Sequence, residues 1–257
     1  MPKEIVLFDI DGTLADAEKV IPESTKAAVR QLQENDIYVA IATGRPPFLF
    51  QDICKELDIA SFVSFSGQYV VFEGEVIYEN PIAEAEILRL YELSAANRYP
   101  MIFMSNQEMK ATVGGHPHVK AGLSKLRFAY PEVDDRFFED TTIYQALLFC
   151  ETDQELPIRC EQGRSRFIRW NDVACDVLPG GGSKAVGIEK LLDAAGIQQA
   201  HSYAFGDGPN DVEMIETAGF GVAMGNAVPA VKAVADYVTD DVDHDGVAKG
   251  LRHLGLL

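Results

Sequence analysis

Ile5-Val6-Leu7-Phe8-Asp9-Ile10-Asp11-Gly12-Thr13-Leu14 begins with four apolar residues in a row and then breaks into carboxylates and a glycine. A continuous apolar run, rather than an alternating one, is what a parallel strand buried on both faces presents. The same rhythm returns downstream. A helix fits residues 23–34, with Val29 and Leu32 on one face, and a second buried strand follows at 37–42, stopping at Thr43-Gly44-Arg45. Pro46 and Pro47 suit the first turn of a helix carrying Phe50, Ile53 and Leu57, and a third strand is expected around 62–65. Alternating strands and helices predict an α/β sheet.

The period then changes. Tyr69-Val70-Val71-Phe72, a Glu73-Gly74-Glu75 turn and Val76-Ile77-Tyr78 read as a β-hairpin. From 82 to 179 a helix near 84–97 and short strands near 101–104, 144–150, 166–170 and 174–178 predict an inserted α+β domain. After Gly180-Gly181-Gly182 the first rhythm resumes with helices at 184–195, 210–217, 228–235 and 246–253 and strands at 202–206, 220–223 and 237–239. The expected architecture is a Rossmann-like, doubly wound parallel-sheet core, residues 1–81 and 180–257, split by an inserted domain at 82–179.

A chain of 257 residues accommodates one large domain or two, and 47% hydrophobic with 24% charged residues excludes collagen-like, low-complexity and largely disordered classes. The 22 basic and 40 acidic residues give a net charge of −18, which repels polyanions, so neither nucleic acid nor an anionic membrane surface is expected as a partner. An anionic small molecule needs a local metal ion or a few lysines to receive it. Cys54, Cys150, Cys160 and Cys175 form no C-x-x-C pair and read as reduced, mostly buried thiols. The six apolar-type residues before Asp9 do not make a signal peptide, no run of about 18 apolar residues occurs, and a cytoplasmic protein is expected.

In open parallel sheets ligands bind beyond the carboxyl ends of the strands. Four loops expected there are polar: Asp9 to Thr13, Thr43 to Arg45, Ser66 to Gln68, and Gly206-Asp207-Gly208-Pro209-Asn210-Asp211. Lys184 starts the helix that re-enters the core. Crowded carboxylates repel unless a cation sits among them, and hard oxygen donors suit Mg²⁺. With Mg²⁺ and Lys184 facing a carboxylate, the pocket complements a phosphoryl group, whose transfer needs in-line positioning and charge neutralisation.

Asp9-Ile10-Asp11-Gly12-Thr13-Leu14 resembles the D-x-D-G-T-L signature of the haloacid dehalogenase (HAD) superfamily, and Thr43, Lys184 and Gly206 to Asp211 fit its other three motifs in order along the whole chain. The long insert and Gly221-Val222-Ala223-Met224-Gly225-Asn226-Ala227 resemble the Cof-type branch with a large α/β cap of the C2B type. The resemblance implies a phosphatase with Asp9 as the nucleophile forming an aspartyl-phosphate and Asp11 as general acid, then base. It implies Mg²⁺ on the Asp9 carboxylate, the Asp11 carbonyl and Asp207, with Asp211 supporting these ligands from one layer further out. Thr43, Gly44 and Lys184 would bind the phosphoryl group, and Asn210 the substrate. Small phosphorylated metabolites, particularly sugar phosphates, are the implied substrates. Ser66-Gly67-Gln68 departs from the Asn-Gly-Ala that this branch often carries after the third strand.

Two aspartates near a glycine are common in turns and helix caps, so D-x-D alone says little; four motifs in order say much more. Gly180-Gly181-Gly182-Ser183-Lys184 lacks the glycine that a nucleotide P-loop needs before lysine, and Gly219-x-Gly221-x-x-x-Gly225 has the wrong spacing for a dinucleotide fingerprint. Arg159, Arg164, Arg166 and Arg169 read as a solvated face before a second anion site, His116 and His118 as a surface loop before a metal site, and Phe167 and Trp170 as core of the insert. A phosphomutase of the same superfamily and a non-catalytic sensor of phosphorylated metabolites are the rival functions. The intact Asp9 and Asp11 pair disfavours the sensor, because binding alone needs neither a nucleophile nor an acid.

Overall fold

The structure, a computed structural model, describes residues 3–126, 128–151 and 165–257; Arg159, Cys160 and Arg164 lie outside them. Two compact units are present, one formed by Met1–Arg45, Leu49–Glu79 and Ser183–Leu257, the other by Pro46–Phe48 and Asn80–Gly182.

The first unit is built on a sheet whose described strands run β13-β12-β11-β1-β2-β3-β4-β5. β1 (Ile5–Phe8), β2 (Tyr38–Ala42), β3 (Phe62–Ser64), β11 (Ser202–Gly206), β12 (Phe220–Ala223) and β13 (Tyr237–Val238) are parallel, while β4 (Tyr69–Phe72) and β5 (Glu75–Glu79) extend the sheet as an antiparallel hairpin. Helices α1 (Glu23–Glu34), α2 (Gln51–Leu57), α5 (Lys184–Ala195), α6 (Val212–Thr217), α7 (Pro229–Val234) and α8 (Gly246–His253) belong to this unit. All four residues of β1 are fully buried between β2 and β11, and the Phe8 ring meets Phe205 of β11 at 5.1 Å. Removing such a buried ring costs about 3–5 kcal/mol. Because the chain winds from β1 to β3 on one side and from β11 to β13 on the other, β1 and β11 flank the point where the strand order reverses. Ligand crevices in doubly wound sheets form there.

The second unit holds an antiparallel sheet, β7-β6-β8-β10-β9, made of β6 (Met101–Met104), β7 (Met109–Ala111), β8 (Gln145–Leu148), β9 (Ser165–Asn171) and β10 (Ala174–Pro179), with α3 (Glu84–Asn97) and α4 (Pro117–Leu126). One face carries its own core, including Ile87, Leu90, Phe103, Leu148 and Val177, and Phe167 packs against it. Mixed α/β architecture with a parallel core sheet and a separate antiparallel sheet is therefore the fold, as its patterning predicts.

Several boundaries differ from expectation. Pro46 is outside any helix: a 3₁₀ turn at Pro47–Leu49 precedes α2, and the buried Phe50 breaks the helical path at φ −139° while its ring packs edge-on against Phe62. The expected helix at 210–217 is a 3₁₀ turn at Pro209–Asp211 followed by α6, because the Asp211 carboxylate turns back onto the amides of Asp207 and Gly208. His118 lies in the first turn of α4 rather than in a surface loop, and His116 is the loop residue just before that helix. His116 Nδ1 accepts the His118 amide at 3.3 Å, and the His116 carbonyl accepts from the Lys120 amide, so this imidazole caps the helix.

Candidate active site

The Asp9 amide still bonds the Phe205 carbonyl at 3.0 Å, so the carboxylate emerges where β1 ends. The following loop is tied to itself by Gly12 to Ala15, Leu14 to Asp9 and Ala15 to Ile10 amide–carbonyl bonds. Gly12, at φ +82°, takes the left-handed turn, and a Cβ there would overlap the Asp207 carboxylate. Thr43, at the end of β2, is buried and its hydroxyl accepts the Arg45 amide at 3.2 Å. Gly44 lies beside the Ser66 hydroxyl and the Asn210 amide.

Lys184 comes from the first turn of α5, whose N-cap Ser183 accepts the Val186 amide. Its side chain is 1% exposed; Nζ donates to Asp9 Oδ1 at 2.7 Å and also to Asp211 Oδ1. Burial works against this ammonium, but the charges of Asp211 and Asp9 outweigh it and keep Lys184 protonated. Asp211 spends its other oxygen on the amides of Asp207 and Gly208, at 3.0 and 2.9 Å. Ligand oxygens of Asp9, Asp207 and Asp211 lie within 4.8 Å of one another, the group of metal-type side chains found among the described residues.

One ammonium does not balance three carboxylates. Burial, and then the Asp211 charge, push Asp9 up to about 7 despite Lys184. Burial and Asp211 likewise push Asp207 up to about 6, against the Thr13 hydrogen bond. Hard oxygen donors crowded this closely fit a small divalent cation. Asp9 Oδ2 and the Asp207 carboxylate are the better placed donors, since Asp211 is committed to the Lys184 ammonium and to two backbone amides at 3.0 and 2.9 Å, whereas each Asp207 oxygen accepts only one longer bond, at 3.3 Å.

A family model described as haloacid dehalogenase-like hydrolase matches residues 6–251. The Bacillus subtilis (strain 168) protein named "Putative phosphatase YkrA" is 49% identical over 257 residues, covering 100% of both chains. Among solved structures, a hypothetical protein from Geobacillus kaustophilus HTA426 superposes with a TM-score of 0.96 at 50% identity, covering 99% of this chain and 100% of that one. The HAD subclass IIB sugar phosphatase BT4131 superposes with a TM-score of 0.83 at 30% identity, over 99% and 100% of the two chains.

This chain belongs to the haloacid dehalogenase-like hydrolases. It is a phosphatase of the superfamily's Cof-type branch, subclass IIB. The HAD fold gathers Asp9, Lys184, Asp207 and Asp211 into one cluster, with Thr43, Gly44 and Asn210 on adjoining loops. Asp11 is more open and faces two cations that sequence reasoning passed over. Arg45 grips its carboxylate with both Nε, at 2.9 Å, and Nη2, at 2.5 Å, and Lys19 Nζ bonds it as well. Burial pushes the Asp11 carboxyl up, but Arg45 and Lys19 more than reverse this and hold it below the usual carboxylate range. Arg45 sits in a loop already marked as polar, so its position was the available signal. Lys19, in a left-handed turn at φ +66°, offered none.

Proposed function

We propose that this HAD phosphatase hydrolyses small phosphorylated metabolites, sugar phosphates foremost, with Mg²⁺ and through an aspartyl-phosphate on Asp9. The observation that carries this reading is the buried Asp9 carboxylate, bonded at 2.7 Å to Lys184 within a cluster of carboxylates that one ammonium leaves undercompensated. Asp9 and Asp207 would hold the ion, with Asp211 orienting Asp207 and Lys184. When bound, Mg²⁺ supplies positive charge against the phosphoryl oxygens.

Asp9 attacks phosphorus as the bond to the substrate's bridging oxygen breaks, and Asp11 gives that oxygen its proton, releasing the alcohol. Water then attacks the phosphorus on Asp9 while Asp11 takes its proton, and cleavage of the acyl-phosphate P–O bond returns the Asp9 carboxylate and inorganic phosphate. The resting ion pairs favour the base form of Asp11. A phosphoryl dianion arriving nearby works in the opposite direction, raising the Asp11 pKa toward the acid form used first. Thr43, the Gly44 amide and Lys184 receive the phosphoryl oxygens, and Asn210 touches the substrate beside Gly44. Sugar phosphates are favoured because BT4131, alike over nearly the whole chain, is a sugar phosphatase. The unit formed mainly by Asn80–Gly182 is the part we assign to selecting the leaving group.

The test is phosphate release from sugar phosphates, nucleotides and an aryl phosphate, with Mg²⁺ or chelator, for wild type and Asp9→Asn. Release that requires Mg²⁺ and vanishes in Asp9→Asn is expected, with a sugar phosphate ranked first. Release that survives either chelator or Asp9→Asn overturns the mechanism, and a nucleotide ranked first overturns the substrate class.

A further inference from the structure

The segment Gly221 to Ala227 has no part in the chemistry above, yet one of its side chains reaches the metal-type cluster. Asn226 Nδ2 donates to the Gly12 carbonyl at 2.8 Å and to Asp207 Oδ2 at 3.3 Å. Its Oδ1 accepts the Val242 amide at 2.9 Å. That last bond settles the orientation of the amide: of its two ends only the oxygen can accept from a backbone N–H, so the NH2 group faces Gly12 and Asp207. The neighbouring backbone fixes the same loop, with Met224 N bonded to Gly206 O at 3.0 Å and Val228 N to Asp207 O at 2.9 Å. Thr13 Oγ1 donates to the opposite oxygen, Asp207 Oδ1, at 3.3 Å. The Asp207 carboxylate is thus held at both oxygens, by Thr13 from the Asp9 loop and by Asn226.

We infer that Asn226 is a positioning residue for the metal site, fixing the Asp207 carboxylate and tying it to the loop that carries Asp9 and Asp11. The inference rests on the Mg²⁺ reading of the cluster. A carboxylate ligand that rotates freely must be ordered each time the ion binds, and a ligand whose outer hydrogen bonds are removed typically loses about 10- to 100-fold in metal affinity. Asn226 is exposed, so truncating it opens no cavity. Its bond to Val242 is a structural one, and the experiment must separate the two roles.

The measurement is calorimetric titration of Mg²⁺ into metal-free wild type, Asn226→Ala, Asn226→Ser and Asp207→Asn, with Tm recorded for each before metal is added. Asp207→Asn should bind Mg²⁺ at least 100-fold more weakly. The two Asn226 variants should bind it about 10- to 100-fold more weakly, with metal-free Tm within a few degrees of wild type and kcat recovering to within about threefold at saturating Mg²⁺. Wild-type affinity in Asp207→Asn would overturn the metal reading itself. Loss in Asp207→Asn with wild-type affinity in a folded Asn226 variant would overturn the inference alone, as would a fall in Tm with unchanged affinity, which is the signature of the Val242 bond acting only as a brace.

Discussion

Asp11 is asked to act as acid and then as base, and the side chains around it decide how well it does either. Arg45 presents a planar fork to both carboxylate oxygens, a geometry that fixes direction as well as charge. Arg45→Ala should therefore leave Asp11 with Lys19 alone and cost proton transfer more than binding. We expect kcat for an alkyl phosphate to fall about 10- to 100-fold, with a smaller fall for an aryl phosphate whose leaving group needs little protonation. Equal losses on both substrates would show that Arg45 serves the phosphoryl group instead. That Asp9, Lys184 and Asp207 come together was legible in the sequence, because each stands at a strand end or helix start with local punctuation. Arg45 and Asn226 stand in stretches that the sequence marks, but their partners lie 34 and 214 residues away, and no local pattern encodes those pairings.

At the scale of elements, the turn after β3 is strained. Phe65 and Ser66 both have positive φ, 49° and 52°, ahead of Gly67 at 99°. A bulky residue in that region costs about 1–2 kcal/mol, and the turn is held by amides of Phe65 and Ser66 bonded to the carbonyls of Arg45 and Thr43. The sequence flagged Ser66-Gly67-Gln68 as a departure but gave no hint that Phe65 would adopt this conformation, since its type argues against it. Gly67 also lies so close to the start of α5 that a Cβ would overlap the Ser183 carbonyl. Gly67→Ala should cost about 2–4 kcal/mol in urea unfolding, and it should lower activity by displacing Lys184. In β10, burial pushes Asp176 up to about 7, against the pull of the Gln145 amide and Trp170 indole. Between about pH 4 and 7 the folded chain then holds a proton that the unfolded chain has released. The stability from this group is complete below pH 4 and lost as pH climbs through 7. Followed by Trp170 fluorescence, Tm should fall from pH 5 to 8 in wild type, and Asp176→Asn, with the same shape and no charge, should flatten that slope. A slope unchanged in the variant would assign the proton elsewhere.

At the scale of the whole molecule, the described residues form two hydrophobic clusters, one per unit, and each contains enough buried aliphatic and aromatic side chains to cooperate internally. The metal-type cluster belongs wholly to the first unit, whereas the single tryptophan, Trp170, belongs to β9 of the second. Those two facts allow the units to be watched separately. A ligand that binds only the folded state stabilises it by RT ln(1 + [L]/Kd), about 2.7 kcal/mol at one hundred times Kd. Saturating Mg²⁺ should thus raise the calorimetric transition of the first unit by several degrees and leave the Trp170 fluorescence transition in place. Asp207→Asn should abolish the calorimetric shift and again leave the fluorescence untouched. If Mg²⁺ moved both transitions by the same amount, the chain would unfold as one cooperative body despite its two cores, because stabilisation supplied at Asp9 and Asp207 would have reached a side chain in the other unit. Separate transitions would instead mean that the second unit can change its sequence, and with it the leaving group, without loosening the loops that hold the phosphoryl chemistry.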